Sequence, residues 1–347
     1  MWDESKVRII DIANELGLST ATVSNVLHGK TKKISDETVK RVERKLEESG
    51  YISNMASTLL ARNNSRIIGV IINNHEKYEG RVLQDPFISS AINYLSDEIE
   101  KSGYFMMIKK TKNIMDVVEF ASMWNLDGMI VLSFCENEYQ DLRDHIRVPF
   151  VVYDGFMDCP VRISNVTIDD YDGGRQVGQY LKDMGHKKVL CIADNDMCMD
   201  LERYNGLCEG LGYKADFLMI PMQKDERMAF YADNAKKLRE YTAIFAVSDY
   251  YAVEVMNHLK AAGVKVPDDI SIVGYDGSQL CQCVVPKLTS VWQDNAYRAK
   301  VAMETLVKMI DNPKFSANVC VPVKLIEGDS VKKIWNEEPS PVSPGKK

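Results

Sequence analysis

Several apolar runs of the chain end on polar side chains that could bind a ligand. Asn73 and Asn74 follow IIGVII, Asp154 follows PFVVY, Ser248 and Asp249 follow AIFAV, and Asp276 closes ISIVGY, while Arg203 lies near the start of a helical stretch. Carboxylates and amides accept from hydroxyl groups, and a guanidinium donates in a rigid fork, so this mixture suits a polyhydroxylated ligand. Each residue also has a plain structural use, because a carboxylate ahead of a helix caps it. Asp249 is the most open to that use. No Gly-rich phosphate loop follows any strand, and neither HExxH nor GxSxG occurs. An enzyme, a metal site and a cofactor are therefore not expected.

A second set of residues suits DNA. Ile9, Ile12, Ala13 and Leu16 share one face of a short helix, and Val23, Val26 and Leu27 share one face of the next. Gly17 stands where a left-handed C-cap belongs and Ser19 where an N-cap belongs, which leaves a turn of about three residues. Small Ala13, Gly17 and branched Val23 allow two helices to cross steeply, the spacing of a helix-turn-helix. The second helix then offers Thr20, Ala21 and Asn25 to base edges in the major groove, with Thr22, Ser24 and His28 as backbone contacts. A helical hairpin inside a larger domain is the plain alternative. Arg8 occupies the place where a Ser or Thr cap would define the first helix start.

The charge distribution agrees with this reading. The net charge of −7 is uneven: residues 1–66 hold 11 Lys or Arg against 9 Asp or Glu, and the remainder 32 against 41. Lys30, Lys32 and Lys33 follow the second helix, where they could meet phosphates, and Arg62 and Arg66 lie further on.

The elements that must position these residues can be read along the chain. Ser35 caps a third helix with Val39, Val42 and Leu46 on its inner face, and Tyr51 seals the small core. Residues 53–66 could form a helix of about two turns, marginal unless something else holds it. From residue 66 strands and helices alternate. One series runs from IIGVIINN to PFVVYDG, and a second from VTID to DISIVGYD, with TSVWQD and the helix RAKVAMETLVKMI behind it. Two such series predict two lobes with parallel sheets, and ligands of such sheets sit beyond the strand carboxyl ends. The chain has 347 residues, 45% of them apolar and 27% charged, a globular composition. No run approaches the roughly 18 apolar residues that span a bilayer, and MWDESKVRII lacks a signal-peptide hydrophobic region. A cytoplasmic protein without membrane contact is expected. The eight cysteines (135, 159, 191, 198, 208, 281, 283 and 320) show no paired spacing and read as reduced thiols, the alternative being a metal or redox pair at Cys281 and Cys283.

Nearly the whole chain resembles the lac-repressor (LacI/GalR) family of bacterial transcriptional regulators. The matching stretches are DIANELGLSTATVSNVLHGK, YISN, IIGVII, VTIDDYDGGRQVGQYLKDMGHKKV, Arg203-x-x-Gly206, GVKVPDDISIVGYD and PKLTSVWQ. The resemblance implies an all-α helix-turn-helix head (1–50), a hinge helix (51–65) and a bilobed, periplasmic-binding-protein-like α/β effector domain (66–335); a disordered tail (336–347) is expected to follow. It implies a homodimer on a palindromic operator, with Asn54 and Leu60 of the hinge as DNA contacts and Leu60 wedged into the minor groove. It implies a small effector, usually a sugar or related metabolite, held by Asn73, Phe87, Asp154, Arg203, Ser248, Asp276 and Gln293. The sequence departs from the family pattern where Ser53 replaces the usual hinge proline and Ser57 and Thr58 the common Ala-Arg. Arg162 to Asn165 match no effector motif, and the extra arginine of purine-binding members falls on Met197. Two alternatives remain: control by a protein partner of the phosphocarrier type, and a sugar-binding receptor.

Overall fold

The computed structural model of the chain describes residues 7–27, 29–51, 64–157 and 163–334. Two compact units are distinguished, Met1–Ser65 and Arg66–Lys347. The expectations placed on His28, on Ser53, Asn54, Ser57, Thr58, Leu60 and Arg62, on Cys159 and Arg162 and on the 336–347 tail lie outside the described residues.

In the first unit α1 (Ile9–Leu16), α2 (Thr20–Leu27) and α3 (Asp36–Glu48) enclose Ile12, Ala13, Val23, Val26 and Val42, with Leu16, Val39, Leu46 and Tyr51 packed around them. Gly17 adopts φ 63, the left-handed conformation that lets α1 stop within one residue. Ser19 Oγ accepts from the Thr22 amide at 3.1 Å, and Ser35 Oγ from the Thr38 amide at 3.3 Å. The helix start that the sequence left open is closed by Asp11, which accepts from both the backbone and the side chain of Arg8. The Arg8 amide and Nη2 donate to Asp11 Oδ2 at 2.9 Å and Oδ1 at 3.2 Å.

The second unit holds two six-stranded sheets. The first lobe contains β1 (Ile67–Asn73), α4 (Pro86–Lys101), β2 (Phe105–Thr111), α5 (Met115–Met123), β3 (Gly128–Leu132), α6 (Glu136–His145), β4 (Phe150–Tyr153) and β5 (Ser164–Ile168). The second contains α7 (Asp170–Asp183), β6 (Val189–Ala193), α8 (Cys198–Leu211), β7 (Asp216–Met219), α9 (Lys224–Asp233) and α10 (Ala235–Leu238). It continues with β8 (Ala243–Ala246), α11 (Asp249–Ala261), β9 (Ser271–Asp276), α12 (Leu280–Cys283) and β10 (Thr289–Gln293). Then α13 (Asn295–Asp311) and β11 (Asn318–Val321) return to the first lobe, and β12 (Val323–Ile326) to the second, giving the orders β11-β5-β4-β3-β1-β2 and β12-β10-β9-β8-β6-β7. The first sheet buries both faces. Ile68, Val70 and Ile72 of β1 enter one core and Ile67 and Ile71 the other, as a strand period of two requires.

The structure corrects the sequence grouping in two places. The VTID strand pairs with β4, Val151 beside Ser164 and Tyr153 beside Val166, so it closes the first series instead of opening the second. The last helix packs on α4 and on β3, β4 and β5 of the first lobe. The chain therefore passes between lobes three times, and a local apolar pattern carries no information about which sheet a strand joins. Strands β11 and β12 were not expected, and β12 runs antiparallel to β10. The stretch ERMAFYADNAKKLRE, apolar at helical spacing, does not form one helix but breaks at Asn234 into α9 and α10.

Helices α7 and α8 approach at glycine. A β-carbon at Gly206 would collide with the Tyr171 carbonyl oxygen, and one at Gly174 with that of Arg203. This contact sets Arg203 against the start of α7. Gly206→Ala should lower stability by about 1–3 kcal/mol through overpacking, measured by urea unfolding; an unchanged midpoint would mean that the backbones are not this close.

Candidate functional site

Two of the polar strand ends, Asp154 of the first lobe and Asp276 of the second, are joined through a residue absent from the sequence reading. Arg298, in the first turns of α13, is fully buried. Its Nη1 donates to Asp154 Oδ1 at 2.7 Å, and its Nη2 to Gln293 Oε1 and Asn295 Oδ1, both at 2.8 Å. The Tyr153 and Phe87 rings cover the guanidinium at 4.7 and 5.1 Å. Gln293 passes the connection on, its Nε2 donating to Asp276 Oδ1 at 3.0 Å. Asp276 adopts φ 116, and burial followed by the nearby Asp249 charge raises its carboxyl well above the ordinary range. One continuous network thus joins Asp154, Gln293 and Asp276. A signal for Arg298 was present: it sits three and four residues before Val301 and Ala302, on the buried stripe of its helix.

Arg203 has a charge partner that no neighbour in its sequence supplies. Its Nε donates to Asp170 Oδ1 at 2.7 Å and its Nη1 to the Val247 carbonyl at 2.6 Å, while the Tyr275 ring covers it at 3.9 Å. Asp170 lies 33 residues away in sequence, so only the α7–α8 contact reveals the pair. The Nη2 group has no hydrogen-bond partner among the described residues, which leaves one arm of the fork for a ligand. Ser248 Oγ accepts from the Tyr251 amide at 3.3 Å as the N-cap of α11, with its hydroxyl hydrogen still available to donate. Asn73 is buried at the end of β1, and Phe87 is half-buried in the first turn of α4. Asp249 has a structural use, though not the helix cap expected of it, because Ser248 is the N-cap and Asp249 the first residue of α11. It is fully buried and accepts from Ser290 Oγ at 2.6 Å, the Ser278 amide at 2.7 Å and Cys281 Sγ at 3.1 Å. Cys281 is thereby engaged, while Cys283 is exposed.

A further acidic pair was missed although it follows the same rule as the others. Asp194 stands directly after β6, and Asn195 Nδ2 donates both to Asp194 Oδ1 at 2.9 Å and to Asp200 Oδ2 at 2.7 Å. Tyr251 Oη donates to Asp194 Oδ2 at 2.8 Å. Burial, then the Asp194 charge acting against Arg203, pushes Asp200 up to about 7. Asp194 stays below the ordinary range despite its burial, because Lys77 and the Tyr251 hydroxyl stabilise its charge. A cavity of about 420 Å³ opens beside Asp154 and Asp170, lined also by Phe156, Thr167, Met199 and Glu202. Its lining does not include Asn73, Phe87, Arg203, Ser248, Asp276 or Gln293.

In the helical unit Thr20, Ala21 and Asn25 are exposed on α2, opposite buried Val23 and Val26, and Ser24 is half-buried. Thr22 Oγ1 lies 2.8 Å from Ser19 Oγ, within the cap. Lys30, Lys32 and Lys33 are exposed just beyond the helix. This arrangement presents a polar surface with a cationic border.

Residues 8–54 match the family described as bacterial regulatory proteins, lacI family, and residues 179–331 match the periplasmic binding protein-like domain. The transcriptional repressor PurR of Vibrio atlanticus (strain LGP32) is 26% identical over 346 residues, covering 93% of this chain and 98% of its own. The transcriptional regulator CelR of Thermobifida fusca is 27% identical over 334 residues, covering 91% and 94%. Among solved structures, the lac repressor dimer bound to operator and the anti-inducer ONPF superposes with a TM-score of 0.81 at 21% identity, covering 94% of this chain and 100% of that one. A CelR–cellobiose complex superposes at 0.69 with 23% identity, covering 93% and 99%. Both are likenesses of fold.

The acidic pair generates a pH prediction. Between the ordinary carboxylate value near 3.9 and about 7, folded Asp200 holds a proton that the unfolded chain has released. Its contribution to stability therefore falls as pH rises through that window and is constant above it. Asp200→Asn removes the term, so urea unfolding should show the variant gaining on the parent protein from pH 5 to pH 8. An equal difference in stability at both pH values would contradict the assignment.

Proposed function

The chain belongs to the lacI family of bacterial regulatory proteins, and from that premise we propose that it is a cytoplasmic, homodimeric transcriptional repressor. Its grip on a palindromic operator is set by a small carbohydrate-like effector between the lobes. Residues 1–50 form the DNA-binding head, 51–65 the hinge, 66–335 the effector and dimerisation domain, and 336–347 a tail. The observation that carries the reading is the convergence of Asp154, Gln293, Asp276 and the free arm of Arg203 in a chain whose second helix exposes Thr20, Ala21 and Asn25. Such a set of donors and acceptors, covered by Phe87, Tyr153 and Tyr275 rings, suits the hydroxyl groups and apolar faces of a sugar. The cellobiose complex of CelR and the operator complex of the lac repressor support the same pairing of ligand and DNA. In this reading Asn73, Phe87, Asp154, Arg203, Ser248, Asp276 and Gln293 line the effector site. Thr20, Ala21 and Asn25 read bases; Thr22, Ser24, His28 and Lys33 meet the backbone, and Asn54 and Leu60 contact DNA from the hinge.

The direct test is footprinting on the DNA upstream of the gene, where a protected palindrome is expected; protein that stays unbound with and without sugars would remove the reading. A melt against a sugar library checks the effector. At a hundred times its dissociation constant a ligand adds about 2.7 kcal/mol to stability, whereas no shift with any sugar points to control by a protein partner. At the DNA face, Asn25→Ala should change operator preference by about 1–3 kcal/mol of discrimination. Lys33→Ala should weaken all DNA alike and reduce the salt slope by about one. Titrations on operator and random DNA check both, and identical effects of the two changes would refute the division of roles.

A further inference from the structure

A segment that takes no part in the proposed effector site joins the two lobes. After β1 the chain forms a 3₁₀ turn, Glu76–Tyr78, capped by His75, whose Nδ1 accepts from the Lys77 amide at 3.2 Å, and closed by Glu79 at φ 49. Three contacts leave this turn for the second lobe. Lys77 Nζ lies 3.7 Å from Asp194 Oδ2. Gln223 Nε2 donates to the Glu76 carbonyl at 3.3 Å, and the Lys224 amide donates to Glu79 Oε1 at 2.9 Å.

Each contact answers a need of the second lobe. The Asp194 side chain is only 1% exposed, and a carboxylate so far out of water requires a cation. Lys77 is the one cation within ion-pair distance among the described residues. Although burial works against its charge, the surrounding Tyr78, Asp194, Asp200 and Asp85 hold the ammonium well above its ordinary range. Lys224 begins α9, where amides have no acceptor within the helix, and Gln223 supplies no side-chain cap. The missing acceptor comes from the opposite lobe.

We propose that residues 76–79 form an interlobe latch, in which Lys77 is a tethered ammonium docked on Asp194 and Glu79 caps α9, so that the chain's own groups hold the cleft closed. Separating the lobes breaks an ion pair, a helix cap and a backbone contact together. An effector then acts on an equilibrium already biased toward closure and changes it only by its differential affinity for the two states. This goes beyond the functional reading above and does not depend on what the effector is.

The Lys224 amide reports the latch directly. Hydrogen exchange of the full-length protein, read by mass spectrometry without DNA or sugar, should show protection in a peptide covering residues 222–226. Lys77→Met and Glu79→Ala should each speed exchange there roughly tenfold, with peptides from β8 and from the N-terminal helices unchanged. Lys77→Arg, which keeps the charge, should retain protection. If Lys77→Met loosens β8 as well, Glu79→Gln decides: its amide oxygen can still accept from Lys224, so protection should persist while Glu79→Ala loses it. An amide at 224 that exchanges at the free-peptide rate in the parent protein, or that is indifferent to both Lys77→Met and Glu79→Ala, overturns the latch. Because neither DNA nor sugar enters the measurement, its failure would leave the repressor reading standing.

Discussion

A guanidinium taken fully out of water must find acceptors, and the second unit meets that requirement for Arg298 with groups drawn from distant parts of the chain. Its partners come from three places in the chain: Asp154 after β4, Gln293 at the end of β10, and Asn295 at the start of its own helix. Removing one partner of a buried ion pair costs about 3–5 kcal/mol, so this knot is costly to break. It sits where the chain passes from β10 into α13, one of three passages between the lobes. Asp154, Gln293 and Asp276, three of the residues proposed to meet the effector, are thus tied to one of these passages.

Arg203 repeats the solution on the second lobe. The glycine contact between α7 and α8 brings its helix against Asp170, and the pair is buried together under the Tyr275 ring. Around it the carboxylates outnumber the cations. Asp154, Asp170 and Asp194 each have a basic partner, while Asp200 and Asp276 are pushed toward their protonated forms by burial. Protonated carboxyls donate as well as accept, which widens the set of hydroxyl groups the cleft can pair.

The edge of the cleft is built on weaker contacts than its floor. Lys77 is about one-third exposed and 3.7 Å from its carboxylate, a looser contact than those of the Arg298 knot. A rigid floor with a reversible edge can hold ligand contacts in register while the lobes still separate. That difference in magnitude, more than the number of contacts, separates the floor of the cleft from its edge.

The sequence by itself determined whatever depends on near neighbours. The helix-turn-helix follows from Ala13, Gly17 and Val23, because cap and crossing geometry are set within one or two turns. The polar strand ends Asn73, Asp154, Ser248 and Asp276 follow from the point where an apolar run stops, and Asp194 obeyed the same rule without being noticed. Only the tertiary structure decided the long-range pairings: Arg298 with Asp154 at a separation of 144 residues, Arg203 with Asp170, and Lys77 with Asp194 across the cleft. It also decided that the VTID strand joins the first sheet and that the last helix returns to the first lobe. The physical reason is common to all of these. A charge is satisfied by whatever lies within about 4 Å in space, and the three passages between lobes set that distance without leaving a local trace in the residues they bring together.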